Sequence, residues 1–129
     1  MAEIILKNKI KNAGIKGVRV KSAGVSATDG HKMSKNSFDA LKLLGYKPYG
    51  FKAKRLKPED VLKCDTVITM TKEHKALLPP FNNVFCMAEI CGEDVSDPYG
   101  KDLTEYVKAS HKIEDDCNII LKKLLENKL

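Results

Sequence analysis

The segment with the clearest chemical potential is the short motif Asp97-Pro98-Tyr99-Gly100. Proline stiffens the backbone beside the aspartate, so this carboxyl can be aimed at one point and can serve as a general acid. Packing against Tyr99 would bury Asp97 and raise its pKa above the ordinary value of roughly 3.9. The simpler alternative is an Asp-Pro turn in which the carboxylate accepts from its own backbone, and spacing alone favours it.

Four cysteines are the other candidates for nucleophilic or ligand chemistry: Cys64, Cys86, Cys91 and Cys117. Three of them lie within or beside apolar stretches, where cysteine usually serves as a small core residue. Cys86 and Cys91 lack the two-residue separation of zinc and thioredoxin-type motifs. The pattern therefore predicts no metal, no cofactor and no redox pair.

The remaining titratable residues give no compact motif. His31, His74 and His111 are scattered and are typical of surface positions. The net charge is +6, and residues 1–63 hold 15 Lys/Arg against 5 Asp/Glu, so the first half could attract an anion. Nearly all of these basic residues are lysines without interleaved aromatics, which makes a nucleic-acid partner unlikely and a solvated surface the favoured interpretation.

Length and composition indicate one ordinary domain over residues 1–129, with 43% hydrophobic residues to fill a single core. No apolar run reaches the roughly 18 residues of a membrane span. The apolar stretch at the N-terminus is too short for a secretion signal, and Glu3 precedes it. We therefore expect a cytoplasmic chain with no membrane partner.

Helices and strands alternate along the chain. Helical spacing predicts a helix over residues 2–13, one capped by Ser34 and ended by Gly45, a short one opening at Pro58, one over residues 72–78, and a long one from Asp102. Strand-like runs cover residues 17–24, 66–70 and 83–87. This alternation is typical of crossover units and a doubly wound parallel α/β sheet. Three strands are few for such a sheet, and no strand precedes the first helix.

Four motifs, in order along the chain, resemble the bacterial type of low-molecular-weight protein-tyrosine phosphatase. Met1-Ala2-Glu3 resembles the residues that follow that family's phosphate loop, and Ser22-Ala23-Gly24 resembles the exit from its second strand. Residues 65–71 resemble its third strand, and residues 97–100 its acid loop. The resemblance covers essentially the whole chain and implies the phosphotyrosine phosphatase I-like fold.

The resemblance also implies a reaction. In the family, a cysteine thiolate attacks the phosphorus of a phosphorylated protein or small phosphomonoester, and no metal or cofactor is needed. Asp97 would take the general-acid position, Tyr99 would line the substrate pocket, and Ser22 would support the phosphate loop. The alternatives are a surface aromatic for Tyr99, which is about equally favoured, and a satisfied strand-end hydroxyl for Ser22.

The family's nucleophile lies in a Cys-x5-Arg loop, and residues 1–129 contain no such loop. The residues six positions after the four cysteines are Met70, Gly92, Asp97 and Lys123. Lysine lacks the planar fork that holds a phosphate through two bonds. Phe51 stands where many members have a histidine that supports the loop. We therefore expect no nucleophile and no turnover in this chain as written.

Two interpretations stay open. Either the native protein is a complete phosphatase and this chain begins after the loop, without its first, central strand, or it is a pseudo-phosphatase that binds or scaffolds a partner. The choice between phosphotyrosine and phosphoarginine also stays open. A sheet without its central strand would expose two inner edges. We expect Val18 and Val20 to pair with Val67 and Ile68, or the chain to associate with another copy.

Overall fold

A computed structural model describes all of residues 1–129, and its first element is helix α1 (Ala2–Asn12). Ile5 and Ile10 are buried on the inner side of this helix, while Lys7 and Lys11 are exposed to solvent. Gly14 follows with a φ of +70°, a left-handed conformation that glycine adopts without strain. The helix predicted over residues 2–13 is confirmed.

Two further helices precede the sheet. Helix α2 (Lys35–Leu43) begins after Ser34, whose hydroxyl accepts from the backbone N–H of Ser37, as the capping pattern predicts. Helix α3 (Pro58–Lys63) opens with proline at its first position, where no backbone donor is needed. Irregular chain connects the two helices, and each buries an apolar side chain, Leu41 in α2 and Val61 in α3.

The sheet consists of two parallel strands joined by a helical crossover. Strand β1 (Val67–Thr69) leads into helix α4 (Lys72–Ala76), and strand β2 (Val84–Cys86) leads directly into helix α5 (Met87–Cys91). Val67 lies opposite Val84, and Thr69 lies opposite Cys86. Helix α5 was not expected, because a five-residue helix that follows a strand without a break carries no periodic signal of its own.

The long helix α6 (Leu103–Leu125) completes the fold, with Asp102 accepting from the N–H of Glu105 at its start. Its buried face packs against α1, α2 and α5. No helix of the structure combines the length and the apolar character needed to cross a membrane. The central core cluster contains residues of helices α1, α2, α5 and α6 and one residue of the loop after α5. Its members are Ile5, Leu41, Met87, Val95, Ile113, Cys117 and Ile120.

Two expectations about the sheet are wrong. Residues 17–23 form no strand, and Val18 and Val20 do not pair with Val67 and Ile68, because β1 pairs only with β2. The cause lies in what holds this segment. Its end is bonded to α1 through Ser22, and the next residues pair through Gly24 with Arg55, so the segment is held away from β1.

The second edge of β1 is therefore open. In a parallel ladder alternate residues turn their backbone groups to opposite sides. Val67 and Thr69 face β2, so Ile68 directs its N–H and C=O to the side on which no strand lies. The sheet thus keeps an inner edge that is available for pairing.

The buried carboxyl group of Asp116 makes the stability of the fold depend on pH. Asp116 is buried on α6, its Oδ2 has no hydrogen-bond partner, and the ammonium group of Lys112 lies 3.7 Å away. Burial raises the pKa of Asp116, and the lysine opposes this only in part. An acid whose pKa is higher in the folded state contributes stability that is lost as pH rises from its unfolded pKa through its folded pKa.

We expect Asp116→Asn to gain stability relative to the parent protein as the pH rises from 3 to 7, because the variant carries no charge to desolvate. The measurement is the free energy of urea unfolding at both pH values. Asp115→Asn, on the exposed side of the same helix, is the control and should change stability by less than about 0.5 kcal/mol at either pH. A relative loss of stability by the Asp116 variant over this range would contradict the expectation.

Candidate active site

The acid turn, residues 97–100, has a defined local geometry. The carboxylate Oδ1 of Asp97 accepts from the N–H of Tyr99 at 3.0 Å, which is an Asx turn closed by the aspartate itself. Both side chains are exposed, and the Tyr99 ring is 83% accessible. The burial of Asp97 against Tyr99 that the sequence suggested is therefore absent. The turn leaves the second carboxylate oxygen directed to solvent and free of any hydrogen bond within the chain.

The chain just before the acid turn is fixed to the end of strand β1. The N–H of Val95 donates to the carbonyl oxygen of Met70 at 2.9 Å, immediately beyond the carboxyl end of β1. In open parallel sheets this is the end at which ligands bind. One residue before Val95, the carboxylate of Asp94 accepts from the N–H groups of Lys72 and Ala88, both at 2.9 Å. These two bonds hold the pKa of Asp94 below its usual value.

The far end of the turn is also held. The N–H of Lys101 donates to the carbonyl of Pro98 at 2.9 Å, and the side-chain amide of Asn36 donates to the carbonyl of Lys101 at 3.3 Å. Sequence reasoning missed both Asp94 and Asn36. A Gly-Glu-Asp run indicates only a turn, and nothing local to either residue identifies a partner 22 or 65 positions away.

Ser22 and Glu3 form a second group, at the start of α1. One carboxylate oxygen of Glu3 accepts from the backbone N–H of Ser22 at 2.7 Å and from its hydroxyl at 3.0 Å. The other oxygen lies 3.2 Å from the ammonium group of Lys7. Ser22 is thus fixed to the first turn of α1, and no hydrogen bond joins this group to the Asp97 turn.

Burial keeps the thiols of two of the four cysteines protonated. All four are free: Cys86 and Cys117 are buried, Cys91 is half-buried and Cys64 is exposed. Burial raises the pKa of Cys91 to about 11 and the pKa of Cys117 to about 12. A thiol with such a pKa is almost entirely protonated at neutral pH, and the thiolate is the nucleophilic form.

The other residues singled out by sequence lie apart from the acid turn. Phe51 is half-buried in irregular chain between α2 and α3, and the side chains of Arg19 and Arg55 are exposed. The backbone N–H of Arg55 donates to the carboxylate of Asp29 at 2.6 Å, which fastens that irregular chain. The structure contains no cluster of three histidine, cysteine or acidic side chains suited to a metal ion.

Comparison with known proteins gives consistent matches. The family model for low molecular weight phosphotyrosine protein phosphatase matches residues 1–129. A protein-arginine-phosphatase of Geobacillus stearothermophilus is 28% identical over 132 residues, which covers 96% of this chain and 86% of that protein.

Solved structures agree. A low-molecular-weight protein tyrosine phosphatase from T. tengcongensis has a TM-score of 0.86 and 32% identity, with 95% of this chain and 88% of that chain covered. The arginine phosphatase YwlE from Geobacillus stearothermophilus has a TM-score of 0.87 and 28% identity, with 98% of this chain and 84% of that chain covered.

The contact between Glu3 and Ser22 can be tested by the hydrogen-exchange rate of the Ser22 amide. Glu3→Ala removes the acceptor of both bonds from Ser22, so we expect the amide of Ser22 to exchange with solvent about 10-fold faster. Lys7→Ala is the matched control, because it removes the ion pair on the other oxygen and leaves the bonds to Ser22 in place. Hydrogen exchange followed by NMR measures both, and equal rates in the two variants would contradict the assignment.

Proposed function

The chain belongs to the low-molecular-weight protein-tyrosine phosphatase family, and from this premise we propose that residues 1–129 form one domain that supplies the general acid for phosphomonoester hydrolysis. The predicted α/β class with a parallel sheet is confirmed by the solved members of the family. The observation that carries the proposal is the Asp97 turn, which is anchored beyond the carboxyl end of β1 with one carboxylate oxygen free.

The reaction assigns Asp97 two proton transfers. A cysteine thiolate attacks phosphorus, a sulfur–phosphorus bond forms, and the bond from phosphorus to the leaving oxygen breaks as Asp97 gives that oxygen its proton. The Asp97 carboxylate then accepts a proton from water, which attacks phosphorus, breaks the sulfur–phosphorus bond and frees phosphate. An exposed carboxyl on a rigid turn suits both steps, because it must meet first the leaving group and then water.

Residues 1–129 lack the other half of this chemistry. They contain no Cys-x5-Arg loop, and burial keeps the thiols of Cys91 and Cys117 protonated at neutral pH. The 129-residue chain alone is therefore inactive in this proposal. Ser22, which is fixed to the first turn of α1, would support the phosphate loop, and the exposed ring of Tyr99 would contact the substrate.

The substrate class is a phosphorylated protein or small phosphomonoester. Relatives described as tyrosine phosphatases and as arginine phosphatases match the chain about equally well, so both phosphotyrosine and phosphoarginine are candidates. We also assign the chain to the cytoplasm, because four unpaired cysteines suit a reducing compartment. Cell fractionation tests that location.

The activity test compares the 129-residue chain with a polypeptide that also carries a strand and a Cys-x5-Arg loop. The 129-residue chain should not hydrolyse p-nitrophenyl phosphate. A polypeptide with a strand and a Cys-x5-Arg loop of the family pattern joined before Met1 should do so. In that completed polypeptide, Asp97→Asn should lower kcat by about 100-fold, because general acids contribute 10²- to 10⁴-fold. Asp65→Asn is the matched control, since the exposed Asp65 side chain makes no hydrogen bond.

Turnover by the 129-residue chain itself would refute its proposed inactivity, and an unaffected Asp97→Asn enzyme would refute the role of Asp97. The alternative is a pseudo-phosphatase that binds a partner without hydrolysis, which the half-buried, apolar Phe51 favours because it cannot donate a hydrogen bond to a phosphate loop. Binding of a phosphopeptide by the 129-residue chain, without turnover, would support that alternative.

The open edge of β1 and the unpaired segment around Val18 favour self-association of the 129-residue chain. We expect light scattering to detect a dimer at high concentration. Val18→Lys should return the chain to monomer, because a charge on the exposed segment around Val18 opposes its pairing with a strand of another copy. Leu77→Lys is the control. It changes another exposed apolar residue, directly after α4, and should leave the dimer intact. A parent chain that is monomeric at all concentrations would contradict this.

A further inference from the structure

We infer that Asp94 is a positioning residue for the proposed general acid, and that it acts together with Asn36 to hold the loop of residues 96–101 at both ends. The inference rests on the proposed role of Asp97. It concerns two side chains that touch no substrate and act only through the backbone that they bind.

Asp94 connects the two strands through the helices that follow them. Lys72 is the first residue of α4, which begins after β1, and Ala88 is the second residue of α5, which begins after β2. One carboxylate therefore accepts from the first turn of both helices, where backbone N–H groups have no partner within the helix. Both oxygens are used, so the side chain is fixed in position and rotation.

The bonded carboxylate also fixes the start of the loop. Val95, the next residue, is buried in the core and donates its N–H to Met70. Only Ser96 separates this anchored residue from Asp97, so the backbone of Asp97 lies within about 7 Å of a fixed point. Movement of Asp94 would be passed directly to the acid.

The other end of the loop is held by α2. Asn36 is half-buried near the start of that helix, and its amide group bonds the carbonyl of Lys101. Gly100 has a φ of +81°, which lets the loop turn back so that the N–H of Lys101 reaches Pro98. Asp102 then caps α6. The six residues of the loop are thus suspended between two side-chain anchors from different elements.

This arrangement predicts a specific kinetic defect. A general acid that is displaced by about 1 Å loses most of its contribution, whereas binding of the phosphate group elsewhere is unaffected. Loss of an anchor should therefore lower kcat/KM, because this constant reports the first step, in which Asp97 protonates the leaving group. The defect should be large for a leaving group that needs a proton, such as phenolate, and small for one that leaves as a stable anion, such as dinitrophenolate.

The experiment uses the completed polypeptide and compares phenyl phosphate with 2,4-dinitrophenyl phosphate. Asp94→Asn keeps the size of the side chain and replaces one acceptor by a donor that faces an N–H group. We expect kcat/KM for phenyl phosphate to fall roughly 10-fold and kcat/KM for the dinitrophenyl ester to fall less than about 2-fold. Asn36→Ala should produce the same pattern more weakly, and Asp65→Asn should produce neither change.

A second readout does not depend on activity. In the 129-residue chain, Asp94→Asn and Asn36→Ala should each speed amide exchange at Tyr99, whereas Asp65→Asn should not. Equal losses of kcat/KM on both esters would show a purely structural role and would overturn the inference, as would unchanged kinetics in both anchor variants. If Asp97→Asn itself spares phenyl phosphate, the proposed function fails and this inference fails with it.

Discussion

Helix α6 buries a face along most of its length, and helices α1, α2 and α5 are placed by their contacts with that face. Ile113, Cys117 and Ile120 lie in the core cluster together with Ile5 of α1 and Leu41 of α2. Two strands of three residues each provide few ladder hydrogen bonds, so the sheet cannot hold the fold by itself. The burial of apolar side chains against α6 is therefore the term that keeps α1 and α2 together.

The acid turn lies outside the core, but the chain on each side of it is connected to the core. Val95 is the last buried residue before the loop, and Asp102 is the first residue that α6 needs for its cap. Between them every residue except the half-buried Pro98 is exposed, and the conformation of the chain depends on hydrogen bonds more than on packing. Polar anchors suit such a loop because they fix direction as well as distance, while the Asp97 carboxyl remains exposed to solvent.

The sequence predicted the parts of this structure that depend on neighbours in the chain. Ser34 caps a helix as expected, because capping involves residues three positions apart, and the long helix begins after Asp102 as its apolar spacing predicts. The segment around Val18 has strand-like composition, yet strand formation requires a partner that local pattern does not specify, and other contacts hold the segment elsewhere. For the same reason the Asp97 turn was predictable and its anchors were not, since Asp94 and Asn36 bind backbone groups of distant segments.

The separation of these contacts along the chain has a consequence for how the protein folds and opens. The bond from Lys72 to Asp94 closes a loop of only 22 positions, whereas the contact between Met1 and Ser110 spans 109. Short closures cost less chain entropy, so the unit from β1 to Asp94 can assemble before α1 docks on α6. Detachment of α1 would remove Ile5 from the core cluster and release Ser22, whereas the bonds from Lys72 and Ala88 to Asp94 lie entirely within the unit from β1 to Asp94.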